Sequence, residues 1–144
     1  MNNMRKLGLD YGDSRIGVAI TDSLGITAQG LETIHHNGND KIALKRLEEI
    51  FNEYDIDTIV IGMPINMDGN KTDRVEVTNK FIHKLKCKFS KIPIEQVDER
   101  LTTVAAHKTM NYLNINKNEK RNIVDTISAV YILETYMNKL KNEN

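Results

Sequence analysis

Three short stretches set acids where they could do chemistry. "LGLDYGDSRIGVAIT" carries Asp10 inside an apolar run that reads as a β-strand. "VDERLTT" puts Asp98 and Glu99 at the end of another strand, and "IVDTISAVYIL" sets Asp125 at the start of an apolar helix. A carboxylate in an apolar strand costs several kcal/mol unless it is paired, protonated or bound to a metal. Strand side chains alternate between faces, so at most one of Asp98 and Glu99 readily faces the Asp10 side. The constellation is Asp10, Glu99 and Asp125. Each acid also has a plainer reading. Asp10 could pair with Arg15 or Arg100, Glu99 with a lysine, and Asp125 could be an N-terminal helix acid favoured by the dipole.

The elements that must position these acids follow an ordered alternation. Lys6–Tyr11 and Ile16–Thr21 read as strands joined by the polar turn "GDSR", a hairpin. Ala28–His35 reads as a third strand, weakened by Gly30. From Asp40 the period becomes helical, with Ile42, Leu47, Ile50, Phe51 and Tyr54 recurring. "DTIVIGMP" is a continuous apolar run of the kind found in strands buried on both faces, and "NMDGN" is a loop. A second helix carries Val75, Thr78, Phe81, Ile82, Leu85 and Phe89 on one face.

"IPIEQVDE" is a further strand, Thr102 or Thr103 caps a helix running to about Leu113, and "NINKNEKRN" is a polar, partly basic loop. The last helix has Asp125 in its first turn and Ile123, Ile127, Val130, Tyr131, Met137 and Leu140 on its apolar side. Ser128 and Ala129 share the stripe of Asp125 and are small enough for close approach to a sheet. An antiparallel opening followed by β-α-β-α alternation predicts an α/β fold, a mixed β-sheet with helices packed on it. Ligands in such sheets gather at the carboxyl ends of strands.

Composition bounds the rest. The 144 residues show no linker or repeat and read as one domain, residues 1–144. With 40% hydrophobic and 28% charged residues the chain reads as globular. No apolar run approaches the roughly 20 residues that span a bilayer, and "MNNMRK" lacks a signal-peptide core. The single cysteine, Cys87, excludes an internal disulfide and fits a reducing compartment, so the expected location is cytoplasmic. His83 and Cys87, four apart on a helix, lack the further ligands that structural zinc needs. His35 and His36 are expected to be exposed at a strand end. Twenty basic and twenty acidic residues give zero net charge. A grip on nucleic acid would have to come from a local patch, for which Arg15, Arg100, Lys108, Lys117, Lys120 and Arg121 are the material.

Four stretches in this order, "LGLDYGDSRIGVAITD", "IVIGMPINMDG", "VDERLTTVAA" and "VDTISAVYILETY", closely resemble the YqgF/RuvX family of Holliday junction resolvase-like or pre-16S ribosomal RNA nucleases. The resemblance runs from about Arg5 to Tyr136 and implies an RNase H-like fold. It implies metal-binding carboxylates at Asp10, Glu99 and Asp125, with Mg²⁺ or Mn²⁺ as cofactor and a nucleic acid as partner. The residue types suit that chemistry. Hard cations take oxygen ligands, and two of them about 3.5–4 Å apart can clamp the attacking and leaving oxygens of a phosphodiester.

The substrate implied is a ribosomal RNA precursor, with branched DNA as the alternative, and the working unit is a monomer or homodimer. Arg15, Arg100, Lys120 and Arg121 are the expected phosphate contacts. "DYGDSRIGVAI" also resembles the phosphate-contacting hairpin of actin-like ATPases. That reading needs a second domain to close over the nucleotide, for which 144 residues leave no room.

Overall fold

The computed structural model describes residues 4–64, 73–98 and 117–143, apart from the side chains of residues 117–122 and 142–143. In chain order the elements are β1 (Arg5–Tyr11), β2 (Arg15–Thr21), β3 (Ala28–His35), α1 (Asp40–Glu53), β4 (Ile56–Met63), α2 (Asp73–Lys88), β5 (Ile94–Asp98) and α3 (Lys117–Glu143). The strands form one sheet in the order β3-β2-β1-β4-β5. β1, β2 and β3 are antiparallel neighbours, whereas β4 and β5 run parallel to β1. The expected mixed sheet with an antiparallel opening is therefore present. The loop "NMDGN" and the helix expected from Thr102 or Thr103 to about Leu113 lie outside the described residues.

Local chemistry explains the turns. In "GDSR" the Gly12 N–H donates to the Arg15 carbonyl at 2.8 Å, which closes the first hairpin. Between β2 and β3 the Asp22 carboxylate accepts the N–H groups of Ile26 and Thr27 at 2.7 and 3.2 Å, and Gly25 turns the chain with φ of +71°. The Asn39 side chain accepts the Lys41 N–H at 3.1 Å and so caps α1.

The two sheet faces bury different sets of side chains. Leu7, Leu9 and Tyr11 of β1, Ile16, Val18 and Ile20 of β2, and Ile59, Ile61 and Met63 of β4 meet Ala43, Leu47 and Ile50 of α1 and Phe81, Ile82 and Leu85 of α2. The opposite face carries Ala19, Val60 and Val97 against Ala129, Ile132 and Leu133 of α3. Each fully buried aliphatic side chain contributes on the order of 1.5–3 kcal/mol. Among the described residues no helix is long and apolar enough to cross a membrane.

Four expectations are corrected. Ile42 is 46% exposed, because α1 turns Ala43 rather than Ile42 onto the sheet beside Leu47 and Ile50. The deepest stripe of α3 is Ser128, Ala129, Ile132 and Leu133, because the sheet surface beneath it is made of small residues; the expected Val130 packs against this core, whereas Ile127 and Tyr131 lie off the stripe and are only partly buried. The polar segment from Lys117 to Asn122 is helical, so Asp125 lies two turns inside α3 instead of in its first turn. Lys, Glu and Arg are good helix formers, and a polar turn of helix carries no apolar periodicity. His36 is fully buried, whereas His35 is exposed as expected.

Candidate active site

Because Leu7, Leu9 and Tyr11 enter the core under α1 and α2, the intervening Gly8 and Asp10 face α3. Gly8 belongs there sterically: a Cβ would lie 2.6 Å from Leu133 Cγ and 2.9 Å from the Ala129 carbonyl oxygen. The antiparallel register places Asp10 directly opposite Gly17. Opposed residues share a face, with Cβ positions about 5 Å apart. On that face the backbone carbonyl of Asp125 occupies the space that a Gly17 side chain would need. Gly30 of β3 continues the track, with Thr126 only 3.0 Å from where its Cβ would be. A groove of glycines thus seats α3 on the hairpin and brings Asp125 to the spot beside Asp10.

Arg15, two residues before Gly17 on β2, points to the same face. Its Nε donates to Asp125 Oδ2 at 2.7 Å, with the two side chains 31% and 17% exposed. The arginine weighed as a partner for Asp10 is thus the ion-pair partner of Asp125. It is a cation already standing on one of the expected ligands. One turn along α3, the buried Ser128 Oγ has no hydrogen-bond partner among the described residues. Both acids lie near the end of the sheet where β1, β4 and β5 finish, the position at which α/β sheets bind ligands. The donors are hard carboxylate oxygens, the ligand type that a divalent metal ion such as Mg²⁺ takes.

Not every expected residue joins this pair. Val97 of β5 packs under α3, so Asp98 turns to the other face, level with Met63 in the α1–α2 core. Glu99 and Arg100 lie outside the described residues, and Lys120 and Arg121 are described only as backbone of α3. Among the described residues no group of three or more His, Cys, Asp and Glu converges as a metal site.

A polar support behind the hairpin was not anticipated. The backbone N–H groups of His36 and Asn37 donate to the Ser14 carbonyl at 3.0 and 3.1 Å. His36 Nε2 donates to the Gly12 carbonyl at 2.9 Å while its Nδ1 accepts the Gly38 N–H at 3.1 Å, the pattern of one neutral tautomer. Tyr11 stacks on His36 at 5.5 Å and on Phe81 at 4.3 Å between ring centroids. The Tyr11 hydroxyl donates to Asp40 Oδ1 at 2.8 Å, and Lys84 donates to Asp40 Oδ2 at 3.0 Å. Burial, reinforced by the Asp40 carboxylate, pushes the Tyr11 phenol well above its ordinary value. The signals were an aromatic in phase with Leu7 and Leu9, and the turn-forming "HHNGND" that sets His36 just past the strand.

A five-stranded mixed sheet with an antiparallel opening, helices on both faces and carboxylates near the carboxyl end of its central strand is an RNase H-like α/β fold. Solved structures agree at the level of the fold. Thermus thermophilus RuvC in complex with a Holliday junction substrate superposes with a TM-score of 0.58 at 10% identity, covering 95% of this chain and 96% of that one. Residues 4–139 match the RuvX family, described as Holliday junction resolvase, and the chain belongs to that family. A protein from Ruminiclostridium cellulolyticum, named as a candidate pre-16S rRNA nuclease, is 55% identical over 95% of this chain and 96% of its own length. One from Clostridium tetani with the same name is 47% identical over 97% of this chain and all of its own length.

Proposed function

We propose that the protein is a metal-dependent nuclease that hydrolyses phosphodiester bonds in structured RNA, in maturation of the 5′ end of the 16S ribosomal RNA precursor. The observation that carries this is the seat at Gly17, opposite Asp10 and beneath the Asp125 backbone, in a chain of this family. Asp10, Asp125 and Glu99 would hold Mg²⁺ or Mn²⁺. For the third ligand, Glu99 is proposed from its place in the sequence "VDERLTT". A bound divalent cation would lower the pKa of the attacking water and stabilise the developing charge on phosphate oxygens.

The chain itself supplies position. The glycine track fixes Asp125 against the hairpin, and His36 holds the turn from which Arg15 projects. Arg15, Arg100, Lys120 and Arg121 are proposed to meet the phosphates of the substrate. The names of the relatives at 47–55% identity favour ribosomal RNA precursor. The description of the family favours branched DNA as the second reading.

Cleavage assays with matched RNA precursor and four-way DNA junction, each with Mg²⁺, Mn²⁺ or EDTA, separate the two. Metal-dependent cutting of the precursor at its mature end is the expected result. Cutting of the junction alone would install the DNA reading, and EDTA-resistant cutting would overturn the metal.

A further inference from the structure

Resting on the metal-site reading above, we infer that Arg15 is a gate on the site: it pairs with Asp125 in this structure and leaves that carboxylate when a divalent cation binds there. The released guanidinium is then available to a phosphate of the substrate. Metal binding and nucleic-acid grip are coupled through one side chain.

The geometry supports exchange in three ways. First, Arg15 Nε donates to Asp125 Oδ2 at 2.7 Å, a charge-assisted contact in which the carboxylate oxygen accepts with a lone pair that a metal would compete for. Second, the Asp125 main chain cannot retreat to make room for both cations. Its carbonyl is pressed into the gap left by Gly17, and Ala129 and Leu133 further along α3 are locked against Gly8. The adjustment must come from a side chain, and Arg15 is the mobile candidate: it begins β2, next to the Gly12–Arg15 turn, and is almost twice as exposed as its partner, at 31% against 17%. Third, a guanidinium and a divalent cation on one largely enclosed carboxylate repel each other strongly, because neither is well screened there.

Arginine is suited to the second half of the exchange. Its planar fork meets carboxylate and phosphate with the same donor geometry, so the side chain leaves one oxyanion for another. By thermodynamic linkage, whatever draws Arg15 away from Asp125 tightens metal binding, and metal binding frees Arg15 for substrate by the same factor. A protein with Arg15 closed over Asp125 holds metal weakly until nucleic acid is present.

The test is an NMR titration of the full chain with Mg²⁺, following the Asp125 side-chain carboxyl carbon and the Arg15 Nε–H, which is assigned by its loss in Arg15→Lys. The expected result is a shift of the Asp125 signal together with loss of Arg15 Nε–H protection, its exchange with solvent quickening about tenfold or more. A shift at Asp125 with Arg15 still protected would overturn the exchange and leave the metal site standing. No shift at Asp125 at any Mg²⁺ concentration would overturn the metal-site reading itself, and the exchange with it.

Mn²⁺ affinity measured by electron paramagnetic resonance without nucleic acid gives a second arm. Arg15→Gln should bind Mn²⁺ about tenfold more tightly than wild type, and addition of an uncleavable RNA duplex should tighten wild type but not Arg15→Gln. Equal gains in both proteins would overturn the coupling.

Discussion

Asp10→Asn exchanges one oxygen for nitrogen and keeps the shape of the side chain, so its effect isolates charge. It should lower metal-dependent cleavage by about 100-fold or more while circular dichroism and solubility stay those of the wild type. Millimolar Mn²⁺ should raise the melting temperature of the wild type and not of the variant, since a ligand stabilises only a state it binds. Wild-type activity in Asp10→Asn would remove this residue from the site. Tyr11 offers a test of the support behind the hairpin. Its phenol is held protonated to higher pH in the folded protein than in the unfolded chain. The stabilisation is therefore fully present below the ordinary tyrosine range near pH 10 and is lost as pH rises above it. Tyr11→Phe gives up the bond to Asp40 and should cost about 1 kcal/mol at neutral pH. Denaturant melts between pH 7 and pH 11 should show a shallower alkaline loss of stability in the variant than in the wild type.

At the scale of elements, the seating of α3 decides whether the acids meet. The helix can lie this close only because β1, β2 and β3 each contribute a glycine beneath it. Gly17→Ala sets a methyl group against a backbone carbonyl, which cannot rotate away as a side-chain tip can. The expected cost is about 3 kcal/mol or more in urea unfolding, with cleavage reduced in the fraction that folds, because α3 must lift Asp125 from Asp10. Gly25→Ala is the matched control. Gly25 has φ of +71° and open space around its Cβ position, so substitution should cost about 1 kcal/mol through backbone strain alone and leave cleavage unchanged. A Gly17→Ala protein as stable and active as Gly25→Ala would show that α3 is not locked by this contact.

For the whole molecule, zero net charge means that no long-range field draws a polyanion to it. Binding must come from a few cations on the site face, and each phosphate neutralised leaves its mark on the salt dependence. Replacing Lys120 and Arg121 together by alanine should weaken RNA binding at 50 mM salt and reduce the slope of log K against log salt by about 2. Filter-binding series from 50 to 300 mM salt would check it. An unchanged slope would return both residues to an ordinary solvated helix face.

The sequence by itself determined the sheet and the place of Asp10 in it. Alternation in "KLGLDY" and "RIGVAIT" is a property of adjacent residues that sets which side chains share a face, and the short turn closed by Gly12 and Arg15 sets the register in which Asp10 opposes Gly17. The parallel crossovers followed in the same way from apolar runs separated by helical ones. What tertiary structure decided was everything that depended on which face of a helix meets which strand. The Arg15–Asp125 pair joins residues 110 apart, and the need for glycine at position 17 is set by a carbonyl on α3, not by any turn near it. Neither leaves a local trace. The polar start of α3 and the burial of His36 were hidden for a related reason. A polar turn of helix has no apolar period to announce it, and a histidine is buried or exposed according to the carbonyl and the N–H that packing brings to its two ring nitrogens.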